Sequence, residues 1–284
     1  MKHILLPTDF SENSWNAIFC ALKMFKDKEC CFYLLNTFQD ESLSFAASLD
    51  GNKDKTLLEL ADLNSKESLA NALDYLKKNT NNKKHSFQAF SRLDDLVDAV
   101  KTFIEDKNID LVIMGTTGAT GSKEVFIGSN ALRIIKGVRN CPVLSVPKGK
   151  DFKRLKHIAF GTDYSNPIDL HEIKPLIDLA RLWSATISIV HIEASHDLSD
   201  LQKYHKELLK SYLQDVPCVF HEIKIKGSIE NTLTHFVQEY HADLIALIHY
   251  RHGFLEKLMR EPIIKKIAFH MDVPFFVLPE IEKA

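Results

Sequence analysis

Short apolar runs recur along this chain, and the segments between them carry apolar residues at helical spacing. The two patterns alternate from the first residues to the last, which is typical of strands that alternate with helices. In the first half the runs predict strands near residues 3–8, 31–37, 85–91, 109–114 and 142–146. The segments between them predict helices near residues 12–26, 56–79, 93–107 and 129–139.

The runs predicted as the first, second and fourth strands are almost continuously apolar, which is typical of parallel strands that are covered on both faces. The helix predicted over residues 93–107 carries Leu93, Leu96, Val97, Val100 and Ile104 on one face. Residues 39–55 are polar at both ends, and we interpret them as a mobile loop after the second strand. This order of elements predicts a doubly wound α/β architecture.

The second half of the chain repeats the first. Lys2-His3-Ile4 and Thr8-Asp9-Phe10-Ser11 recur 154 residues later as Lys156-His157-Ile158 and Thr162-Asp163-Tyr164-Ser165. We therefore expect two tandem α/β domains, residues 1–148 and 155–284, each with a five-stranded and mostly parallel sheet between helices. The second set of strands is predicted near residues 157–162, 185–191, 218–225, 243–249 and 275–278.

Composition and charge bear on the possible partners of the protein and on its cellular compartment. The formal net charge of −2 gives no case for nucleic-acid binding, and no run of 18 apolar residues predicts a membrane span. No signal peptide is visible before the first strand. The five cysteines include no C-x-x-C pair, which fits buried thiols in a reducing cytoplasm. We expect a cytoplasmic protein.

Three glycines and a serine stand in the pattern G-x2-G-x9-G-S, on Gly115, Gly118, Gly128 and Ser129. Gly115 ends a predicted strand, and Gly128 opens an amphipathic helix. Glycines let backbone N–H groups approach an anion closely, and a helix N-terminus adds unpaired donors. The pattern suits a phosphate, although turns and a helix cap would also use these residues.

Three segments are expected to meet at one edge of the sheet. Asp9 ends the first strand, Thr37 ends the second, and Met114-Gly115 end the fourth. In an open α/β sheet, ligands bind beyond the carboxyl ends of strands where the strand order reverses. The sequence therefore predicts one crevice that contains these residues.

The strand-Asp-helix start, the glycine pattern and the closing strand Cys141 to Pro147 together resemble the universal stress protein family. The resemblance implies an adenine nucleotide alpha hydrolase-like fold that binds ATP, or ADP or AMP, with Mg²⁺ as an optional companion. It implies that Gly128, Ser129 and Asn130 hold phosphates and that Thr37 approaches adenine. The other residues that it places in the nucleotide pocket are Pro7, Thr8, Asp9, Met114, Gly115, Thr117 and Gly118. A helix-capping role for Asp9 and a plain strand end at Thr37 remain alternatives.

The second half keeps the acidic position as Asp163 but loses the glycines. Aligned from the fourth strand, Ile248, Arg251 and Glu261 replace them; aligned backward from Pro274, Leu247, Tyr250 and Arg260 do so. A carboxylate at position 261 would repel an anion, and Pro262 lacks a backbone donor. We interpret residues 249–252 as a solvated loop rather than an anion or metal site, and no catalytic or metal motif is present.

The leading hypothesis is a nucleotide-binding regulatory protein of the universal stress type. A slow ATPase is the second, for which the loop offers only Lys123, Glu124 and Asp9. A nucleotide-independent interaction module is the third. We expect the two halves to pair through their fifth strands as an internal pseudo-dimer, with further homo-oligomers and an unidentified regulatory protein partner left open.

Overall fold

A computed structural model describes residues 1–38, 53–116, 128–149, 151–193, 197–250 and 273–280. In these ranges strands and helices alternate as predicted. The strands are β1 (Lys2–Pro7), β2 (Cys30–Phe38), β3 (His85–Leu93), β4 (Leu111–Gly115), β5 (Val143–Val146), β6 (His157–Gly161), β7 (Thr186–Glu193), β8 (Cys218–Lys224), β9 (Leu244–His249) and β10 (Phe275–Pro279). The helices are α1 (Glu12–Met24), α2 (Lys53–Asn79), α3 (Leu96–Lys107), α4 (Ser129–Gly137), α5 (Leu170–Trp183), α6 (Asp200–Tyr212) and α7 (Ile229–Glu239).

The strands form one sheet of ten in the order β3-β2-β1-β4-β5-β10-β9-β6-β7-β8. The strand order in the first half is 3-2-1-4-5. When β6 to β10 are counted as strands 1 to 5 of the second half, they follow the same order, read from the opposite edge of the sheet. The ladders within each half are parallel, and β5 pairs antiparallel with β10, with Ser145 opposite Phe275. The order reverses beside β1, because β2 and β4 flank it on opposite sides.

Helices cover both faces of this sheet. One apolar cluster joins α1, α2, α5 and α6 to the sheet through Ile18, Leu69, Ile173 and Leu209. A second cluster holds α3, α4 and α7 against the opposite face. Both clusters contain residues from the two halves of the chain. The fold class predicted from the sequence, an α/β architecture with a mostly parallel sheet between helices, is confirmed.

Local side chains fix where most helices begin. Ser11 caps α1 by accepting the Ser14 N–H at 3.3 Å, and Asp95 caps α3 by accepting the Val97 N–H at 2.9 Å. The predicted start of the latter helix at residue 93 is wrong, because Leu93 ends β3 and is 58% exposed. An apolar residue at helical spacing had extended the pattern past the cap. The start of α2 is three residues earlier than predicted, and residues 39–52 of the predicted mobile loop lie outside the described part.

The cysteines agree with the sequence interpretation. All five are described and none forms a disulfide; Cys218 is half-buried and the other four are buried. Burial raises the pKa of Cys30 to about 11 and that of Cys141 to about 12, so both are thiols at neutral pH. Among the described helices, none has the length and apolar character that crossing a bilayer demands.

Candidate functional site

A cleft of about 360 Å³ lies at the carboxyl ends of β1, β2 and β4, beside the first turn of α4. Nine of the residues predicted for the nucleotide pocket line it: Pro7, Thr8, Asp9, Thr37, Met114, Gly115, Gly128, Ser129 and Asn130. The remaining two, Thr117 and Gly118, lie outside the described residues. Five lining residues were not predicted: Ser14, Asn36, Leu96, Thr116 and Ala131.

Hydrogen bonds to its own side chains shape the loop between β1 and α1. Thr8 Oγ1 accepts the Phe10 N–H at 3.0 Å and donates to Ser14 Oγ, also at 3.0 Å. Asp9 Oδ1 accepts the Ser11 N–H at 3.1 Å, so the carboxylate does take part in the start of the helix. The same exposed side chain lines the cleft, and its two sequence interpretations are therefore compatible.

A chain of polar side chains supports the wall of the cleft at β2. Asn36 donates from Nδ2 to the Thr8 carbonyl at 2.7 Å and accepts from Ser65 Oγ at 2.7 Å. Ser91 on β3 then donates to Ser65 Oγ at 2.8 Å. These bonds tie β1, β2, β3 and α2 together at the level of the cleft, and they hold the Asn36 amide in one orientation.

Gly115 is required by close packing. A Cβ at this position would lie 2.3 Å from Asn13 Nδ2 and 2.9 Å from the Asn13 carbonyl oxygen, both shorter than real contacts. The first turn of α1 therefore approaches the end of β4 as closely as only glycine permits. The first glycine of the G-x2-G-x9-G-S pattern is explained by this helix–strand contact.

The N-terminus of α4 opens into the cleft. Gly128 is its N-cap residue, no side chain of the described residues caps the helix, and no acidic residue lies in its first turn. Gly128, Ser129, Asn130 and Ala131 all line the cleft. Helix N-termini carry unpaired N–H groups and partial positive charge, so this end of α4 has the chemistry of an anion site.

An ion pair joins α4 to α3 next to the cleft. Arg133 donates to the carboxylate of Asp95, whose neighbour Leu96 lines the cleft. The hydrogen bond from Arg133 lowers the pKa of Asp95, and the N–H of Val97 acts in the same direction. The first turn of α3 and the middle of α4 are thereby fixed against each other.

Few charges line the cleft. Among its described residues Asp9 is the one ionisable side chain. No group of three or more His, Cys, Asp or Glu side chains in the described ranges is placed to hold a metal ion. A metal here would have one carboxylate of the protein within the described lining, so it would need further oxygen ligands from a bound molecule.

The strand registers decide between the two alignments of the second half. Ile4 lies opposite Leu111 and Ile158 lies opposite Leu244, so the position of Gly115 corresponds to Ile248. Alignment from the fourth strand is therefore the one that the sheet follows. Its other two positions, Arg251 and Glu261, lie outside the described residues, as do Arg260 and Pro262.

The interpretation of residues 249–252 as a solvated loop is wrong for the first two of them. His249 ends β9 and is 2% exposed, and its burial lowers its pKa to about 4. Tyr250 donates from its hydroxyl to Glu172 Oε2 at 3.0 Å. Burial is the main cause that raises the pKa of Tyr250, and the neighbouring Glu172 carboxylate raises it as well. The strand predicted over residues 243–249 already ended at His249, and what the interpretation missed is the burial of His249 and the contact of Tyr250 with α5. Arg251 and His252 lie outside the described residues.

Three of the five additional cleft residues carried weak signals in the sequence. Asn36 and Thr116 each adjoin a predicted residue, and Ala131 follows Asn130. Each could have been found by extending a strand end or a helix start by one position. Ser14 and Leu96 carried no such signal, because hydrogen bonding to Thr8 and the packing of α3 bring them to the cleft.

Comparison with known proteins agrees with this architecture. A model of the universal stress protein family matches residues 1–147. Two relatives from Methanocaldococcus jannaschii, the universal stress proteins MJ0531 and MJ0577, are each 32% identical to this chain, over 151 and 164 residues. The alignments cover 52% of this chain, and 84% and 95% of the two relatives.

Similarity of structure extends over both halves. A universal stress protein from Archaeoglobus fulgidus has a TM-score of 0.69 to this chain at 16% identity, covering 98% of this chain and 96% of that one. At this identity the likeness concerns the fold alone. The family match covers more than half of the residues, and the chain therefore belongs to the universal stress protein family.

Proposed function

We propose that the first half of this chain binds ATP or a related adenine nucleotide and that the bound nucleotide serves a regulatory role in a stress response. One observation carries the proposal: the uncapped N-terminus of α4 opens into a cleft at the reversal of strand order. A phosphate is the ligand that such a helix end favours. The volume of about 360 Å³ falls in the range of small-molecule sites.

The roles of the lining residues follow from their positions. Ser129 and Asn130 would meet phosphate oxygens at the start of α4. Thr37, at the far side of the cleft on β2, would lie along the base, and Asp9 at the mouth would accept from ribose hydroxyls. Mg²⁺, where present, would be carried on phosphate oxygens with Asp9 as the nearest protein carboxylate, in keeping with the preference of Mg²⁺ for few protein ligands.

Titration calorimetry of the full chain with ATP tests the proposal. We expect about one site per chain, because Ile248, Arg251 and Glu261 replace the three glycines in the second half. Gly128→Val is the matched variant: Gly128 has φ −59°, so valine fits the backbone, but its side chain would occupy the approach to the phosphate. Binding that persists unchanged in this variant would contradict the site, and two sites per chain would contradict the one-site proposal.

Hydrolysis is a separate question within the same proposal. Of the candidate groups Lys123, Glu124 and Asp9, only Asp9 is described, and it is exposed at the mouth of the cleft. Turnover of ATP by the purified chain, compared with an Asp9→Asn variant, distinguishes a slow ATPase from a binding protein. A chain that binds no nucleotide would leave the interaction module as the remaining hypothesis.

A further inference from the structure

One buried hydroxyl of the cleft has no hydrogen-bond partner among the described residues. Thr116 is 7% exposed and lines the cleft, and its Oγ1 is buried without a donor or acceptor in the described part of the chain. The backbone of Thr116 is paired, since its N–H donates to the Val146 carbonyl at 2.9 Å and its carbonyl accepts the Gly128 N–H. A buried hydroxyl without a partner opposes folding, so such groups are uncommon.

The alternation of side chains along β4 shows which way this hydroxyl lies. Gly115 faces Asn13 of α1, on one side of the sheet. Met114 packs in the apolar cluster on the other side, together with Ala131 and Ile134 of α4. Thr116 follows Met114 by two positions and continues the ladder to β5, so its side chain lies on the α4 side.

The backbone bond from Gly128 places Thr116 directly beside the first turn of α4. The N–H groups of that turn, which have no partner within the helix, and the Thr116 hydroxyl thus lie at the same end of the cleft. A neutral base edge would satisfy only one of these donors at a time. A phosphate group offers several strong acceptor oxygens at once and can satisfy them together.

We propose that the Thr116 hydroxyl donates a hydrogen bond to a phosphate oxygen of the nucleotide held at the N-terminus of α4. This inference rests on the proposed function and adds a binding residue to it. The hydroxyl would then find its partner only in the complex. A donor that is fixed in advance, without added charge, would favour phosphorylated nucleotides over nucleosides in this cleft.

Two substitutions of similar size provide the test. Thr116→Val keeps the shape of the side chain and removes the hydroxyl, while Thr116→Ser keeps the hydroxyl. Each full-length variant is titrated with ATP and with adenosine, and its thermal unfolding is followed without ligand. We expect valine to weaken ATP binding by about ten- to a hundredfold, the range for a lost hydrogen bond to a charged group, and serine to bind within about threefold of the original chain.

The ligand-free proteins and the adenosine titrations complete the test. With no partner lost, Thr116→Val should unfold at the same temperature as the original chain or higher, and its affinity for adenosine should not change. A lower unfolding temperature would mean that the hydroxyl has a partner within the fold, which would overturn the proposal. Equal ATP affinity in the two variants, or an equal loss for adenosine and ATP, would overturn it as well. If the original chain binds no ATP, the proposed function itself fails, and this result is distinct from the others.

Discussion

The carboxyl ends of the strands differ in chemistry between the two halves, although the strand order is the same. In the first half Asn36 at the end of β2 donates to the Thr8 carbonyl. The corresponding residue in the second half is His191, which donates from Nδ1 to the Thr162 carbonyl at 3.2 Å. An amide that lines an open cleft is thus replaced by a buried imidazole.

Further side chains donate hydrogen bonds to the loop between β6 and α5, which corresponds to the loop between β1 and α1. Gln202 donates to the Asp163 carbonyl at 2.8 Å and His205 to the Tyr164 carbonyl at 2.7 Å, so three successive carbonyls accept from side chains. The ring of Tyr164 stacks on His191 with centroids 5.0 Å apart. Phe10 and Tyr164 share the left-handed backbone at corresponding positions, with φ of 61° and 54°. The loop conformation is therefore kept while the groups around it change.

The two halves also differ at the end of the fourth strand, where Gly115 in the first half corresponds to Ile248 in the second. Glu12 begins α1 five residues after the end of β1, but Leu170 begins α5 nine residues after the end of β6. The close contact that excludes a side chain at Gly115 belongs to the early start of α1. With the helix delayed, the second half has a buried Ile248 where the first half has glycine. A common fold thus does not carry a common site.

Separating the halves should produce the largest change. Residues 1–148 expressed alone would expose the edge of β5, whose apolar residues are buried between β4 and β10 in the full chain. An unpaired apolar edge favours pairing with another copy, so we expect this fragment to self-associate. Analytical ultracentrifugation measures it. A folded fragment that stays monomeric at high concentration would contradict the internal pseudo-dimer, and an unfolded one would contradict the predicted division into domains.

Ile248→Ala should have the next largest effect. The side chain is buried among the strands and helices of the second half, and truncation of a buried isoleucine costs about 2–5 kcal/mol of unfolding free energy. Urea denaturation of the full chain measures the loss. ATP stoichiometry should not change, because the cleft is in the other half. A loss below about 0.5 kcal/mol would show that the position is not a packing site.

Gly115→Ala, at the position that corresponds to Ile248, should lower the free energy of unfolding because it adds a side chain where there is no room for one. A new methyl group would meet both the buried side chain of Asn13 and the Asn13 carbonyl, which belongs to the helix backbone. Overpacking of this kind costs about 1–3 kcal/mol, and a shift of α1 would also widen the cleft. The same denaturation experiment gives the energy, and ATP titration gives the change in affinity. A fully stable variant would mean that α1 does not limit this position.

The smallest expected effect concerns the caps of α3 and α7. Asp95 caps α3 and pairs with Arg133, whereas the corresponding helix α7 is capped by the neutral Ser228. The pKa of Asp95 is lowered in the folded chain, so the stabilisation is complete above its ordinary value of 3.8 and is lost as pH falls through the lower folded value. Asp95→Asn keeps the cap and removes the charge. We expect a loss of about 0.2–1 kcal/mol at pH 7 that disappears in acid.

A pH-independent difference between Asp95→Asn and the original chain would show that the charge of Asp95 contributes nothing. Ser228→Ala is the control, because its cost comes from a neutral cap and should not depend on pH over the same range. The pair therefore separates the electrostatic part of the helix start in the first half from the capping part that both halves share.

The sequence by itself determined the class of the fold, the ends of most strands and the outline of the cleft. The continuous apolar run from Cys30 to Leu35 is buried along its whole length. Such a run predicts a parallel strand that is covered on both faces, without any knowledge of its neighbours. The residues at the ends of β1, β2 and β4 could be grouped in advance, because parallel strands bring their carboxyl ends to one edge of the sheet. The recurrence of one short pattern 154 residues later was equally visible, and it led to the prediction of two similar halves.

Only the tertiary structure decided the chemistry that depends on neighbours from distant segments. Gly115 has to be glycine because of Asn13, and the polar side chain of His249 is buried at the end of β9. Thr116 looked like any residue of a loop until its burial and its missing partner among the described residues could be seen. Local patterns report the periodicity of burial, whereas hydrogen-bond partners and close contacts arise from packing between elements far apart in the chain, which no short pattern encodes.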